Sequence, residues 1–304
     1  MSFMLFKLFE MLFFSGRISG IIVAGGHNEC SSVDFLAGDL GMKQLPSLPH
    51  NIIGSSMVAH NGTILLCGGG LKNEKQCLQW NHGNWKEYST LNEERILHSV
   101  LTTQTATFIF GGGYSGTTYE YLQKDSTKWL MGKTEIPEGF CNGFAIAVKS
   151  EHEIWWIGGG RTEKRILCFN VNVNNFQVLP FHLNAGRVLH RCAFIPNTNK
   201  VMITGGCNVG VLDSTEVLDI EYENVTMASP MNSKRFAHGM GDVTINGEKR
   251  IAVFGGHDGG NSVVSVELYN THTERWEMAD FKLSKAKHGF GFLPIKLGDI
   301  LSQL

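Results

Sequence analysis

Few residues in this chain stand at the spacings that enzyme chemistry requires. The segment Gly111–Gly116, GGGYSG, fits the glycine pattern of a dinucleotide site, which also needs a helix after its glycines to offer free N–H groups to phosphates. Residues 117–122 alternate as a strand does, so this match predicts no cofactor. The sequence contains neither a serine nucleophile elbow nor an HExxH zinc motif. We therefore expect no catalytic residue, no metal site and no cofactor.

The seven cysteines do not form a metal or redox motif. None belongs to a C-x-x-C pair, the spacing of zinc ribbons and thioredoxin-type sites. Cys67 and Cys77 flank one glycine-rich loop, which would place them on neighbouring strands, where a disulfide is geometrically possible. The preferred interpretation is that both pack as small apolar side chains within strands, with the disulfide as the alternative.

The composition narrows the class of partner. The chain has 26 basic and 28 acidic residues, a net charge of −2, which gives no overall field to attract nucleic acid or acidic membranes. Hydrophobic residues make up 42% and charged residues 18%, proportions typical of a globular protein with a large core. The sequence has no stretch of 18 consecutive apolar residues, so we expect no membrane-spanning helix.

The first 16 residues are unusually rich in Phe, Leu and Met, but Lys7 and Glu10 interrupt them. A secretory signal would have its positive charge before an unbroken apolar stretch. A degenerate signal, a disordered start and a short apolar plug against the domain are therefore alternatives for residues 1–16. Two N-x-T sequons, at Asn61 and Asn224, would matter only in a secreted chain. Localisation stays open, with the cytoplasm slightly favoured over secretion.

Six glycine doublets, each preceded by a short apolar run, divide the chain at intervals of 43 to 50 residues. A regular period in this range is the sequence signature of a repeat architecture. Glycine is expected where a Cβ would crowd a neighbour, or forbid the required turn, at the end of an inner strand. The doublets are Gly25-Gly26, Gly68-Gly69, Gly111-Gly112, Gly158-Gly159, Gly205-Gly206 and Gly255-Gly256.

Each repeat has room for four short strands with alternating polarity and β-branched residues. A large residue opens the third strand of most repeats, as Trp85, Trp129 and Trp276 do, with an apolar residue seven positions before it. Six such repeats around a ring predict a six-bladed β-propeller, an all-β fold that protects its sheet edges. The final strand has no doublet after it, so we expect it to close the first blade. The propeller would span 17–297, followed by a tail at 298–304.

Residues 253–279, VFGGHDGGNSVVSVELYNTHTERWEMA, resemble a Kelch repeat through their paired glycines, Tyr269 and Trp276. The resemblance extends over 17–297 and implies a Kelch-type β-propeller whose function is protein recognition. Many Kelch proteins are ubiquitin-ligase adaptors with an N-terminal dimerisation and cullin-binding module. Sixteen residues cannot encode that module, so the resemblance does not carry the adaptor activity here.

In Kelch propellers a basic residue and a histidine often open the inner strand, and the loops of one face bind the partner. The corresponding pairs here are Arg95/His98, Arg187/His190, Arg235/His238 and Lys285/His288. A ring of arginines would bind the carboxylates of an acidic peptide through paired hydrogen bonds. The alternative is that each basic residue and histidine hold loop carbonyls against their own blade. The candidate partner-binding residues are Arg95, His98, Tyr114, Arg161, Arg187, His190, Arg235, His238 and His257.

Three functions therefore compete. The first is a non-enzymatic protein–protein interaction module with no bound cofactor. The second is a secreted carbohydrate- or matrix-binding propeller, which the apolar start, the Cys67/Cys77 pair and the sequons would favour. The third is a sugar-modifying enzyme similar to the sialic-acid mutarotases, in which Arg95, Arg187, Arg235 and Glu93 would contact the sugar. A copper site like that of galactose oxidase is not expected, because the six tyrosines do not cluster in the sequence.

Overall fold

The fold consists of six antiparallel four-stranded sheets, which are the blades of a propeller. The computed structural model describes residues 19–28, 31–38, 41–71, 74–81, 83–113, 116–137, 145–150, 152–159 and 164–296. Within these residues the structure contains no α-helix, and hence no helix that could cross a membrane. The six-bladed all-β prediction is confirmed.

We number the blades I to VI in chain order and give their strands from the propeller axis outwards. Blade I contains β24 (Gly291–Lys296), β1 (Ser19–Ala24), β2 (Val33–Leu36) and β3 (Met42–Leu45). Blade II contains β4 (Ser56–His60), β5 (Thr63–Cys67), β6 (Gln76–Asn81) and β7 (Asn84–Thr90). Blade III contains β8 (Ser99–Thr102), β9 (Ala106–Phe110), β10 (Tyr119–Gln123) and β11 (Leu130–Met131).

The remaining blades follow the same order. Blade IV contains β12 (Ala145–Ser150), β13 (Glu153–Ile157), β14 (Arg165–Asn170) and β15 (Asn175–His182). Blade V contains β16 (Arg191–Phe194), β17 (Lys200–Thr204), β18 (Thr215–Asp219) and β19 (Asn224–Ala228). Blade VI contains β20 (Gly239–Ile245), β21 (Glu248–Phe254), β22 (Ser265–Asn270) and β23 (Arg275–Lys282).

The last strand closes the ring. β24 pairs with β1 over six residues, from Ser19 opposite Lys296 to Ala24 opposite Gly291. Blade I is therefore built from both ends of the propeller, as the sequence predicts. The segment 1–16 and the tail 298–304 lie outside the described residues.

The glycine doublets end the second strand from the axis, which agrees with the expected inner strand. Both glycines of each described doublet adopt positive φ, for example 61° at Gly255 and 96° at Gly256. A Cβ on Gly255 would lie 2.9 Å from the Phe290 ring and 3.0 Å from the carbonyl oxygen of Lys287, on the segment that enters blade I, so the close approach of the next blade also requires glycine. Each doublet thus combines a left-handed turn with a contact between blades.

The core lies between the blades rather than within them. Each of six buried apolar clusters combines residues of two consecutive blades, including a cluster shared by blades VI and I. Three of the predicted seven-residue pairs are direct cross-strand partners: Tyr269 with Trp276, Phe169 with Phe176 and Leu218 with Val225. In blades I and II the register differs, because Met42 lies opposite Leu36 and Trp85 opposite Trp80. The repeated tryptophans Trp85, Trp129 and Trp276 are all buried in these clusters.

Candidate functional site

Two sets of loops meet at one end of the propeller, which we call the loop face. One set follows the glycine doublets, and the other joins the outer strand of each blade to the inner strand of the next. The hairpins between the first and second strands and between the third and fourth strands lie at the opposite end, the hairpin face. The antiparallel order of the strands therefore brings the predicted loops together on one face.

The basic residues expected to bind a partner are instead buried in ion pairs. Arg187 Nη2 donates to Glu216 Oε1 at 2.6 Å, and both side chains are fully buried. The Arg187 guanidinium also donates to the carbonyl of Gly205, the first glycine of that blade's doublet. Arg235 repeats this arrangement with Glu267 at 2.6 Å. Arg95 pairs with Glu120 at 3.0 Å and also contacts Glu93.

Each carboxylate of these pairs also binds the loop that enters its blade. Glu216 accepts hydrogen bonds from the backbone N–H of Asn184 and from its side-chain amide, at 2.7 and 3.0 Å. Asn92 and Asn232 make the same contacts with Glu120 and Glu267. The second glycine of the preceding doublet completes the arrangement, since Gly159 N donates to Arg187 O. The pairs therefore fasten each connecting loop to the two blades that it joins.

This burial corrects the expected ring of arginines. Arg95, Arg187 and Arg235 have no exposed surface with which to reach the carboxylates of an acidic peptide. The alternative that these residues tie loops to blades describes the structure. Glu93, the fourth residue named for a mutarotase-like sugar site, accepts a hydrogen bond from Arg95 Nη2 at 3.2 Å.

The pairing in blade I differs from the expected one by two residues. Lys287, not Lys285, occupies the position of the arginines: it is fully buried, and its Nζ lies 3.0 Å from Asp34 Oδ2. Gly256 N donates to Lys287 O. This contact is equivalent to the hydrogen bond from Gly159 N to Arg187 O. Phe290 consequently occupies the histidine position, and His288 lies on the loop face.

Blade II has apolar residues where the ion pair would stand. In blade II, Leu78 lies opposite Leu66. The corresponding pair in blade III is Glu120 opposite Ile109, so Leu78 occupies the position of the carboxylate. Ile52, whose carbonyl accepts from Gly26 N, replaces the arginine. Ile52 and Leu78 belong to one buried cluster. Both members of the pair are therefore changed together, which leaves no charge buried alone.

The three histidines that follow the arginines are buried and neutral. Burial, and next the nearby Arg95 cation, lower the pKa of His98 to about 3. Burial and then Arg187 lower the pKa of His190 to about 3, and its Nε2 bonds the carbonyl of Ile157 at 2.7 Å. Burial lowers the pKa of His238 as well, and its ring bonds Thr204 Oγ1 at 2.8 Å. These side chains support the blades and are not presented to a partner.

A ring of left-handed residues surrounds the axis at the loop face. Each inner strand is preceded, two positions before its start, by a residue with φ between 49° and 71° in the five blades where that residue is described. The backbone N–H of a ring residue donates to the carbonyl oxygen of the ring residue in the preceding blade. Four such hydrogen bonds, of 2.6 to 3.0 Å, are described, and they cross four consecutive boundaries between blades, which we call seams. The ring residues are Gly54, Leu97, Leu189, Ala237 and Gly289.

An apolar collar surrounds this ring on the loop face. It consists of the residues immediately before the ring positions, which pair with the residues that follow the doublets. Most members are partly exposed. Val209 and Leu71, on the doublet loops of the same face, are 104% and 57% exposed. The described collar residues are Ile53, Ile96, Val188, Phe236 and His288.

Histidines cluster on the side of the collar where blades VI and I meet. The His288 ring lies 4.9 Å from both His27 and His257, measured between ring centroids. Phe236 lies 5.2 Å from His257. Burial, and then its two histidine neighbours, lower the pKa of His288 to about 4, while Ser262 Oγ bonds its Nδ1 at 2.8 Å. Among the described residues no group of three or more side chains has metal-binding geometry.

The remaining candidate residues divide into two groups. His257 is the one described member of the predicted binding set that is partly exposed on the loop face. Tyr114 and Arg161 lie outside the described residues. The collar was missed because its residues are ordinary apolar types; a signal for it was their shared position, three residues before each inner strand begins.

Cys67 and Cys77 form a disulfide between β5 and β6. The two residues are direct partners in the strand register, with Cα atoms 4.0 Å apart, and both are fully buried. The preferred interpretation that they merely pack as thiols is therefore wrong, and the alternative is correct.

The comparison with known families agrees with this geometry. Residues 250–279 match the family model for the Kelch motif, a segment that runs from β21 to β23. A search of curated proteins found no match to the chain. Kelch propellers generally serve as protein-interaction modules. The chain is a six-bladed β-propeller that carries a Kelch motif in its sixth blade.

Proposed function

We propose that this protein is a non-enzymatic interaction module that binds a protein partner through its loop face. The observation that carries the proposal is the apolar collar around the axis. Ile53, Ile96 and Phe236 lie next to the axis and keep part of their surface exposed. Exposed apolar residues that are grouped, rather than scattered singly, indicate a docking surface.

The loop face has the composition of an interface centre. Aromatic and aliphatic side chains in the middle of a polar rim supply most of the binding energy in protein complexes. Here the middle contains Phe236 and the collar, and the rim contains Asn28 and Asp258. An acidic peptide is a poorer match than first expected, because the arginines that would receive it are buried. We propose instead a partner segment that is anchored by apolar side chains.

Variants of the two most exposed apolar residues on this face test the proposal. Leu71→Asp and Val209→Asp, combined, place charge on the face without disturbing buried packing, because both side chains are exposed. We expect proteins recovered by affinity purification with the wild type to be lost from this variant. The matched control is Tyr222→Asp, which alters a 74% exposed aromatic residue in a hairpin of the opposite face.

The set of partners lost from each variant tests the proposal. Loss of partners from the loop-face variant with retention by the control supports the proposal. Retention by both variants, with the unfolding temperature unchanged, would contradict binding through the loop face. A Phe236→Ala variant extends the test into the collar itself.

A secreted propeller is the second candidate, and the disulfide favours it. Structural disulfides persist chiefly in oxidising compartments. The Asn residues of both sequons, Asn61 and Asn224, are exposed and accessible to glycosylation. Peptide mapping of the native protein without reduction would test this. A linked Cys67–Cys77 peptide with glycan at Asn61 or Asn224 supports secretion, whereas free thiols and bare sequons contradict it.

A further inference from the structure

The propeller axis contains a channel of about 570 Å³ that the proposed protein-binding function does not use. Its described walls are the inner strands of five blades, and most of the side chains that line it are apolar. Pockets for small organic ligands have volumes of about 300–1,000 Å³ and combine apolar walls with a few polar groups. The apolar lining includes Met57, Val100, Leu101, Met240, Phe292 and Leu293.

One cation within this channel lacks a counter-charge. Arg191 lies at the start of β16, and its guanidinium carbon is 5.5 Å from the centre of the Phe292 ring. Arg191 donates from Nη1 to His190 O at 3.1 Å, and its Nε has no hydrogen-bond partner. The described residues offer it no ion pair. Lys249 also lines the channel but has Asp242 at 3.9 Å.

The repeat does not require an arginine at this position. The first residue of each inner strand pairs with the residue before the doublet, so Arg191 can be compared directly across the blades. The other five blades have small residues there, and none is charged. They are Ser56, Ser99, Ala145, Gly239 and Gly291. Arg191 is thus specific to blade V, unlike Arg95, Arg187 and Arg235.

One further polar group at the same end of the channel lacks a partner. Ser55 Oγ is buried, lines the channel and makes no hydrogen bond among the described residues. Buried polar groups in native proteins are nearly always paired, so a bound molecule or water in the channel is expected to contact Ser55 Oγ. Burial also lowers the pKa of Arg191 to about 10, as expected for a cation that lacks an anion.

The channel opens toward the hairpin face. Thr102, Phe194 and Pro294, at its far end, are exposed, whereas Ser55, His98 and Phe290 are buried beneath the hydrogen-bonded ring. Arg191 therefore lies at the deep end of a pocket entered from the side opposite the collar.

We propose that this channel binds a small organic carboxylate with an apolar body, whose carboxylate pairs with Arg191. A single uncompensated cation is neutralised by one monoanion, and a planar carboxylate matches the guanidinium fork. The apolar body would lie along Met57, Val100 and Met240 toward the hairpin face.

Octanoate is a suitable probe, and calorimetric titration of the full chain would test the proposal. We expect octanoate to bind, and Arg191→Gln to weaken its affinity by at least about tenfold, the usual effect of losing a charged hydrogen bond. Arg250→Gln is the matched control, since Arg250 pairs with Glu277 away from the channel. Equal affinities for wild type and R191Q would overturn the proposal.

Two comparisons on the wild type do not depend on the variant folding. Octanoate should bind at least about tenfold more tightly than 1-octanol, which lacks the charge, and more tightly than acetate, which lacks the apolar body. Methyl NMR signals of Met57 and Met240 should shift on titration, while that of the exposed Met278 should not. Equal binding of 1-octanol, or shifts confined to Met278, would refute the carboxylate site.

Discussion

Arg95, Arg187 and Arg235 each pair with a buried carboxylate and fasten one loop. Arg187 contacts Glu216, the carbonyl of Gly205 and, through its own carbonyl, Gly159. A residue type that suggests recognition of acidic peptides is therefore committed to the interior. Arg191, by contrast, has no counterpart in the other blades and no described ion-pair partner.

Removing one member of a buried pair should be more damaging than removing both. Arg235→Leu leaves Glu267 buried without its cation, and we expect a loss of about 3–5 kcal/mol in the free energy of unfolding. The double variant Arg235→Leu/Glu267→Leu copies the apolar solution of blade II and should recover part of this loss. Recovery would be incomplete, because the N–H groups of Asn232 and Ser233 lose their acceptor.

Urea denaturation of the single and double variants measures these differences. Arg250→Leu, at a half-exposed pair, is the control and should cost no more than about 1 kcal/mol. A double variant less stable than R235L would contradict the argument from blade II.

The buried histidines should make stability fall in acid. The pKa of His98 is about 3 in the folded protein and about 6.5 when unfolded, so the unfolded chain binds the proton first as the pH falls. The stabilisation is complete above pH 6.5 and is lost between pH 6.5 and 3. Each such histidine adds a slope of up to about 1.4 kcal/mol per pH unit in that window.

His98→Phe isolates one of these contributions. Blade I has Phe290 at the position that His98 occupies in blade III. We expect unchanged stability at pH 7.5 and a shallower fall between pH 6 and 4, measured by denaturation at a series of pH values. A slope equal to that of the wild type would show that His98 is not neutral in the folded state.

At the scale of the element, blade II differs from blades I, III, V and VI, each of which has a described buried ion pair. It replaces the buried ion pair with Ile52 and Leu78, and it joins β5 to β6 with the disulfide one register position away. The disulfide closes a short loop of the unfolded chain, since its cysteines are ten residues apart in sequence.

Cys67→Ala/Cys77→Ala should therefore lower the free energy of unfolding by about 2–3 kcal/mol. Thermal unfolding of this variant and of the wild type, each with and without reductant, measures the effect. Reductant should destabilise only the wild type. Equal melting temperatures in all four samples would show that the disulfide does not form.

The repeats made the strands predictable from the sequence. They did not show that the repeated arginines are buried rather than exposed to a partner. The doublets and the seven-residue pairs were sufficient to predict six blades of four strands each. Burial of Arg187 depends on a carboxylate 29 residues away, a distance at which sequence spacing carries little information. Asn184, three residues before Arg187, was the available signal, since Asn92 and Asn232 stand at the same offset.

At the scale of the whole molecule, stability resides in the seams between blades. The cluster that joins blades VI and I contains Ile21, Leu36, Ala252 and Phe254, so the ring is closed by packing as well as by β24. A propeller in which one seam does not form would expose the apolar surfaces of the two blades on either side of it.

A chain that ends after Lys282 should consequently aggregate or fail to fold. It lacks β24, which leaves β1 unpaired on one edge, and it lacks the Lys287–Asp34 pair. The matched control ends at residue 296 and keeps β24. Size-exclusion chromatography with thermal melting would distinguish the two chains, and a soluble, cooperatively melting shorter chain would contradict the closure.

The hydrogen-bonded ring at the loop face has a sense of rotation. Every described donor in it points to the preceding blade, so its N–H and C=O dipoles run around the axis instead of along it. A solute approaching along the axis from the loop side would find those dipoles already satisfied. A polar solute therefore gains no hydrogen bond from the four described ring contacts as it enters the axis.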